Sequence, residues 1–482
     1  MKKFLAIVLS IITVFCFTAC GGESVTESAD GAVIINNGDR IYAEGADTST
    51  LKVIKIGFTE AGFGREWLVN IAKQFVIENK EYEVDLDGDP QLASSIQTKL
   101  ESGKNLADLY FPLNSAWELY ASRGWVEPLD DVYAMKVDGE NGKTIEEKTD
   151  ENYKKYANYT TPEGSHYYIM PWNDTVTGIV YNVKMFEQYG WEIPETTDEL
   201  EDLCKKIVSD TNGKVKPFAY PGKIGGYFDY IGTTWWLQTS GVDGLKEFFK
   251  FGSAEVYNSG VQPAAGKKRA LEEFLRFYAP EKGYCISGSM GKDHTASQMD
   301  FIGGSAAMII NGNWLECEMQ TNMEEGFTMG MMSVPFLSDA QKDESGNYVK
   351  VNYTASPDYI FVPKGAANKD GAKKFLAFMQ RDDMLLLYTK ITGSPRPFSY
   401  DMTSIQGLSK FNTDVLKIRA ESKTFFDFSR ASVYMSGYTQ KYIGGQPYSA
   451  LIRGETTPAR FCNVEYVEAD NNWDDWVTKS NI

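Results

Sequence analysis

The chain has 482 residues, a formal net charge of −18 and 13% aromatic residues. This length exceeds what a single hydrophobic core usually covers, and it fits two domains of α/β size. The negative charge argues against nucleic acid or an anionic membrane surface as a partner.

Residues 1–19 predict an export signal, because a positively charged start precedes an apolar stretch over 4–17 that is short for a membrane span. The sequence Phe17-Thr-Ala-Cys20 resembles a lipobox, with Phe17 in place of the usual Leu. We therefore expect Cys20 to carry a lipid that anchors the exported chain to the outer face of the cell membrane; a plain signal peptide is the alternative. Residues 20–50 are small, polar and acidic, which predicts a flexible tether.

From residue 51 the pattern alternates between strands and helices. A strand is predicted over 53–58, and the glycine-containing loop that follows it holds Glu60 and Phe63. A helix with an apolar stripe comes next. A later strand over 107–111 leads to Asn114. These three residues thus lie in loops that follow predicted strands.

Residues 168–200 predict a strand, a turn with Trp172 and Asn173, and a further strand over 178–182. Thr196 and Glu199 have the spacing of a capping box, so a helix should begin there. The strand over 217–220 then leads to a loop that contains Tyr227.

Trp235 and Trp236 are adjacent in the next predicted helix, over 230–238. Neighbouring positions on a helix do not share a face, so one indole should be buried in the core while the other reaches a ligand. We favour Trp235 as the ligand-facing residue.

Residues 300–314 predict a turn, a buried strand over 306–310, and a loop that opens a helix with Asn313 as its N-cap. Asn311 and Trp314 then lie just beyond the carboxyl end of that strand, which favours ligand contact. Ordinary core packing is the alternative for Trp314.

This last stretch resembles the signature of extracellular solute-binding proteins of ABC importers, the sugar-binding group related to maltose-binding protein. The resemblance extends over about residues 51–476. It is carried by Phe301, Gly303-Gly304, Ala307-Met308 and Gly312-x-Trp314, and by Gly124 to Asp130, Tyr181-Asn182, Pro194-x-Thr196 and Gly393 to Pro397.

The resemblance implies an α/β protein with the type II periplasmic-binding-protein fold, in which two lobes enclose a ligand cleft. Lobe 1 would comprise 51–172 plus 356–396, and lobe 2 would comprise 177–350 plus 401–482. It also implies a monomer that captures a carbohydrate, with an oligosaccharide as the expected ligand, and delivers it to ABC permease subunits.

A sugar ring has apolar C–H faces and a rim of hydroxyls that need hydrogen-bond partners. Aromatic side chains suit the faces, and amides, carboxylates or guanidinium groups suit the rim. The expected stacking residues are Phe63, Trp172, Tyr227, Trp235 and Trp314. The expected hydrogen-bonding residues are Glu60, Asn114, Asn173, Asn311, Asp358 and Arg396.

The sequence offers little support for catalysis. The two histidines, His166 and His294, are far apart and lack metal-ligand spacing, and neither a nucleophile elbow nor a phosphate-binding loop is present. We expect no metal, no cofactor and no enzymatic activity. Two alternatives stay open: a surface lipoprotein enzyme that acts on glycans through paired carboxylates, and a binding protein that reports to a membrane sensor.

Overall fold

Two β-sheets organise the chain in the computed structural model. It describes residues 25–27, 31–36, 38–113, 115–250, 252–354, 358–425 and 448–480. The predicted signal 1–19 and the predicted sites at Cys20 and Asn114 lie outside these residues. Among the residues described, no helix combines the length and the apolar character needed to cross a bilayer.

The first sheet has six strands in the order β1-β2-β3-β5-β4-β6. The strand β4 pairs in parallel with β5 and β6, as expected for strand–helix–strand units. The strands are β1 Val25–Glu27, β2 Ala32–Ile35, β3 Arg40–Ala43, β4 Lys52–Phe58, β5 Tyr82–Gly88 and β6 Leu109–Phe111. The helices α1 Glu66–Glu78 and α2 Leu92–Ser102 connect them, and α1 buries the predicted stripe of Trp67, Ile71 and Phe75.

The prediction of a flexible tether over 20–50 is wrong for the residues of β2 and β3. The strands β2 and β3 form an antiparallel pair, and β3 pairs with β5. Ala32, Ile41 and Ala43 are fully buried, and Arg40 Nε donates a 2.7 Å hydrogen bond to the Glu83 carboxylate. Overall composition misled the prediction, because most of the few apolar residues of this segment are buried in the core.

Short helices and a hairpin complete this half of the chain. They lie between β6 and the first crossing to the second sheet. In order they are α3 Trp117–Ser122, α4 Asp130–Tyr133, α5 Ile145–Lys148, α6 Glu151–Ala157, β7 Asn158–Thr161 and β8 Gly164–Tyr167.

The second sheet has the order β11-β12-β10-β13. Its strands are β10 Thr177–Asn182, β11 Lys216–Ala219, β12 Ala306–Gly312 and β13 Met329–Met332. Every residue of β12 is buried, as its continuous apolar run predicts. The surrounding helices are α7 Val183–Tyr189, α8 Thr197–Asp210, α9 Asp229–Phe249, α10 Ala264–Tyr278, α11 His294–Ile302 and α12 Leu315–Met319. The capping box of Thr196 and Glu199 at the start of α8 is confirmed.

The later part of the chain contributes to two separate two-stranded sheets. The strand β15 Tyr359–Ile360 pairs with β9 Met170–Pro171, and β14 Val351–Tyr353 pairs with β16 Lys423–Phe425. The remaining helices are α13 Lys369–Phe378, α14 Asp382–Thr392, α15 Lys410–Glu421, α16 Tyr448–Ile452 and α17 Pro458–Ser480.

The buried apolar residues divide the molecule into two lobes. One core draws on residues between 32 and 172 and between 359 and 398. The other cores draw on residues between 176 and 353 and between 411 and 469. Within the part of the chain that the structure describes, the chain therefore crosses between lobe 1 and lobe 2 three times. The lobe limits given above stay predictions.

Candidate ligand-binding site

A cavity of about 300 Å³ lies between the two lobes. This is at the lower end of the range for small-molecule sites, about 300–1,000 Å³. Lobe 1 supplies the loop after β4 and several aromatic residues, lobe 2 supplies a second aromatic group, and the crossover segments supply the rest. The lining residues on which its chemistry depends are Phe63, Trp67, Trp172, Tyr227, Tyr230, His294, Trp314, Glu318 and Asp358.

The lobe 1 wall is built on a stacked pair of indoles. Trp172 lies on Trp67 with ring centroids 4.8 Å apart and planes inclined by 17°, and Phe63 meets Trp172 edge-on at 6.1 Å. Trp67 is held at the start of α1, where its Nε1 donates a 3.1 Å hydrogen bond to the Gly64 carbonyl. All three aromatic side chains are at most 7% exposed, so this wall is well packed around the face that borders the cavity.

The lobe 2 wall is a second aromatic group that lies on different elements. Tyr227 and Tyr230 flank the start of α9, with ring centroids 4.9 Å apart. Trp314, which follows β12, meets Tyr230 edge-on at 5.5 Å. Trp314 is only half-buried, so its ring presents more surface to the cavity than the lobe 1 indoles do.

Two carboxyl groups face the cavity among these rings. Burial raises the pKa of Asp358 to about 6, and this rise is opposed by a 3.0 Å hydrogen bond that Asn173 Nδ2 donates to Asp358 Oδ2. Burial also raises the pKa of Glu318, whose Oε2 accepts a 2.7 Å hydrogen bond from Gln298. His294 lines the same cavity. The site can therefore accept hydrogen bonds from ligand hydroxyls between two aromatic surfaces.

The structure brings five of the predicted site residues together. Phe63, Trp172, Tyr227, Trp314 and Asp358 all line the cavity, although they come from both lobes and are far apart in the chain.

Two further predicted residues lie next to the cavity without lining it. Asn173 is fully buried, and its amide is occupied by Asp358 and by the Ser394 hydroxyl. Glu60 instead forms an ion pair with Arg65, with its Oε1 3.1 Å from Nε.

The prediction that Trp235 faces the ligand is wrong. Trp235 is fully buried, its Nε1 donates a 3.0 Å hydrogen bond to the Pro335 carbonyl, and its ring stacks on Phe277. Trp236 is buried as well, with Nε1 2.6 Å from the Pro263 carbonyl oxygen. Both indoles are core residues, because α9 is covered on opposite sides.

Asn311 and Asn313 also differ from their predicted roles. Asn311 belongs to β12, where it is paired with Gly178 and fully buried away from the cavity. Asn313 does not cap α12, whose N-cap position is Trp314 and has no side-chain hydrogen bond. Its Oδ1 instead accepts a hydrogen bond from the Val176 amide. The sequence could not reveal this, because Val176 precedes β10 and is far from Asn313 in the chain.

Arg396, predicted to bind the ligand, lies behind the lobe 1 wall and is 3% exposed. Its guanidinium carbon is 5.1 Å from the Tyr388 ring centroid, and Nη2 donates a 3.1 Å hydrogen bond to Gln380. Burial lowers the pKa of Arg396 to about 10. The guanidinium therefore supports the aromatic wall from outside the cavity.

Several cavity residues escaped the sequence-based prediction. Trp67 fits the apolar stripe of α1, and Tyr230 belongs to the helix that follows the Tyr227 loop, so both suggest core positions. His294 and Glu318 carry no local pattern that links them to a site. Only the packing of α11 and α12 beside lobe 1 brings their side chains to the cavity.

The described residues contain four cysteines, all as free thiols: Cys204 and Cys462 are buried, whereas Cys285 and Cys317 are half-buried. Within the same residues, no group of three or more His, Cys, Asp or Glu side chains is arranged to hold a metal ion.

Comparison with known proteins finds extracellular binding proteins both among protein families and among individual relatives. A family model described as bacterial extracellular solute-binding protein matches residues 61–384. An uncharacterized ABC transporter extracellular-binding protein from Pyrococcus horikoshii is 23% identical over 352 residues, which are 70% of this chain and 69% of that protein.

Solved structures show the same fold. RafE in complex with raffinose is similar to this chain with a TM-score of 0.65 and 16% identity, over 87% of this chain and 99% of RafE. The apo form of RafE comes from Streptococcus pneumoniae. A sugar transporter from Bacillus licheniformis in complex with stachyose has a TM-score of 0.60 and 17% identity, over 87% of this chain and 100% of that one. This likeness establishes a two-lobe α/β solute-binding fold.

Proposed function

The chain belongs to the family of bacterial extracellular solute-binding proteins, and we propose that it captures a carbohydrate outside the cell and delivers it to an ABC permease. Membership makes it an exported solute-binding protein. The carbohydrate ligand, the permease partner and the lipid anchor on Cys20 are our proposals.

The observation that carries the carbohydrate proposal is the pairing of aromatic walls from opposite lobes across one cavity. Trp172 belongs to one wall and Trp314 to the other, and the Asp358 carboxyl lies between the lobes. A sugar has two apolar faces and a polar rim, and this arrangement offers surface for both. A hydroxyl that leaves water without finding a partner costs about 1–3 kcal/mol, so the acceptors on the rim matter as much as the rings.

We propose an oligosaccharide rather than a single sugar. RafE was solved with raffinose and the Bacillus licheniformis protein with stachyose, and both share the fold of this chain. The cavity volume suits one end of such a ligand, with the remainder extending along the cleft between the lobes.

The proposed working step is closure of the two lobes, and no bond of the ligand is broken. The ligand favours closure only through contacts that it makes better in the closed form than in the open form. Walls that lie on different lobes supply such contacts, because a ring held between Trp172 and Trp314 touches both only when the lobes are together.

Isothermal titration calorimetry tests the proposal. The chain without residues 1–19 is titrated with raffinose, stachyose, galactose, xylo-oligosaccharides and chito-oligosaccharides. We expect saturable binding of at least one of these sugars at micromolar affinity or better. Absence of heat with all of them, together with binding of a peptide or an inorganic ion, would contradict the carbohydrate assignment.

The alternative of a glycan-active enzyme receives its own assay, because Asp358 and Glu318 both line the cavity. Reducing ends are measured after prolonged incubation of the protein with each sugar that binds. We expect no increase over a sample without protein. An increase that disappears in Asp358→Asn or Glu318→Gln would establish the enzyme instead.

Lipid attachment is tested by labelling cells that produce the chain with radioactive palmitate. We expect label in the wild-type protein and none in Cys20→Ser. Equal labelling of both would show that Cys20 is not the anchor.

A further inference from the structure

Four polar side chains form a continuous hydrogen-bonded series that ends in the cavity. Asn313 Nδ2 donates to Ser394 Oγ at 2.6 Å, Ser394 Oγ donates to Asn173 Oδ1 at 3.1 Å, and Asn173 Nδ2 donates to Asp358 Oδ2 at 3.0 Å. Only Asp358 of these four lines the cavity; the other three are at most 1% exposed.

The direction of this series follows from the chemistry of its members. An ionised carboxylate only accepts hydrogen bonds, so the Asn173 amide must present its nitrogen to Asp358 and its oxygen to Ser394. The Ser394 hydroxyl then donates to Asn173 and accepts from Asn313. Every donor points toward Asp358, and hydrogen bonds aligned in this way polarise one another.

The series also joins separate parts of the chain. Asn313 follows β12 of lobe 2, Asn173 and Asp358 lie on two of the crossover segments, and Ser394 follows α14 of lobe 1. Asn313 is fixed in turn by the Val176 amide, 3.3 Å from its Oδ1, and by the Asp174 carbonyl, 3.2 Å from its Nδ2.

We propose that Asn313, Ser394 and Asn173 are positioning residues that hold the Asp358 carboxylate ionised and oriented to accept a hydrogen bond from a ligand hydroxyl. The inference rests on the proposed function, because it assigns Asp358 to the ligand. It also makes recognition depend on the crossover segments, since Asn173 and Asp358 both lie on them and are joined by a 3.0 Å hydrogen bond.

The titratable groups around Asp358 come from four different helices. Tyr230 on α9 and Tyr388 on α14 lie close enough to interact with its charge, and Glu318 and His294 line the same cavity. Burial raises the pKa of Asp358 and the Asn173 hydrogen bond lowers it. Loss of that hydrogen bond should therefore make the carboxyl group take up a proton at higher pH.

The first experiment measures the dissociation constant between about pH 5 and pH 8, a range that brackets the Asp358 pKa of about 6. It uses the tightest-binding sugar of the panel above. In the wild type we expect affinity to fall as the pH drops through about 6. Asn173→Ala should bind about tenfold more weakly at neutral pH and lose affinity at a higher pH. Ser394→Ala should shift in the same direction by less, and Asp358→Asn should show no such titration.

Gln238→Ala is the matched control. Gln238 is a buried amide that donates to the Val334 and Pro335 carbonyls and accepts from the Leu337 amide, outside both the series and the cavity. We expect it to lower the melting temperature without moving the pH profile of binding.

A second experiment needs no ligand. The pH dependence of tryptophan fluorescence, compared with that of Asp358→Asn, reports the Asp358 titration because Trp172 and Trp314 line the same cavity. We expect the midpoint to rise in Asn173→Ala and in Ser394→Ala. An unchanged midpoint in both variants would overturn the positioning role whether or not a sugar binds, whereas failure of every sugar to bind the wild type would overturn the proposed function alone.

Discussion

The ring of Trp314 occupies the space that a side chain on Gly312 would need. A Cβ atom built on Gly312 would lie 2.1 Å from Cζ3 and 2.2 Å from Cη2 of Trp314. Glycine at this position therefore allows the indole to fold back against its own strand and to present its other face to the cavity.

Gly312→Ala should displace Trp314 and weaken ligand binding by about tenfold or more, because the ring can no longer lie in its present position. The dissociation constant, measured by calorimetry, provides the check. Gly252→Ala is the control, since a Cβ there meets nothing within 4 Å. Unchanged affinity in Gly312→Ala would show that the position of this ring does not matter for the ligand.

Trp314→Ala should weaken binding with little loss of stability. The ring is half-buried at the cavity, so its removal takes away ligand contact more than core packing. We expect a loss of about ten- to a hundredfold in affinity and a melting temperature close to that of the wild type. A large fall in melting temperature with affinity retained would instead identify Trp314 as an ordinary core residue.

Trp235→Ala should have the opposite effect. Removal of a fully buried indole leaves a large void and takes away one of the two side-chain hydrogen bonds that the Pro335 carbonyl accepts, which costs about 3–5 kcal/mol in the free energy of unfolding. Urea denaturation measures this loss, and calorimetry at a temperature where the variant is folded should give wild-type affinity. Loss of affinity by the folded variant would show that Trp235 contributes to ligand binding after all.

The raised pKa of Asp358 should make its contribution to the free energy of unfolding fall as the pH rises. In the unfolded chain its carboxyl ionises at the ordinary pKa of about 4, whereas in the folded protein its pKa is about 6. Between these values the folded protein keeps a proton that the unfolded chain has released. Its stabilising contribution is therefore present at low pH and is lost as the pH rises through about 6.

Asp358→Asn should abolish this dependence. Relative to wild type, its free energy of unfolding should rise between about pH 4 and pH 7 by on the order of 2 kcal/mol, as measured by urea denaturation. Asp343→Asn is a control of opposite sign, because backbone hydrogen bonds lower the pKa of the exposed Asp343. A constant difference between Asp358→Asn and wild type would mean that the carboxyl is not buried enough to shift its pKa.

Removal of residues 1–44 should destabilise lobe 1. It takes away the buried side chains of β2 and β3, and it leaves the edge of β5 unpaired. We expect a clear fall in the melting temperature of this chain and a tendency to aggregate. Removal of residues 1–24 alone, which spares all described strands, is the control. Equal stability of the two truncated chains would show that the segment behaves as the tether that its composition suggests.

Local patterns predicted much of the fold. The apolar run of β12 and the capping box at Thr196 both concern neighbours in the chain, and the structure has them as expected. The Asn368 side chain, which accepts a hydrogen bond from the Gly371 amide at the start of α13, is a local interaction of the same kind.

The errors arise where the outcome depends on distant partners. The helix-face rule predicts that only one of Trp235 and Trp236 is buried. Both are buried because other elements pack on both sides of α9. Asn313 has the right position for a cap, yet Val176 and Ser394 occupy its amide instead. The sequence predicted part of the cavity, because the end of a strand such as β12 can be recognised locally. It did not predict the contribution of α11 and α12, because their approach to lobe 1 depends on tertiary packing.

The position of β1 limits the distance between lobe 1 and Cys20, the proposed site of lipid attachment. The strand β1 begins at Val25, only five residues after Cys20, and five residues reach at most about 18 Å. With a lipid on Cys20, the protein would search for its permease at nearly constant height above the bilayer, in two dimensions rather than three. So short a connection would keep β1, the edge strand of the first sheet, close to the lipid headgroups.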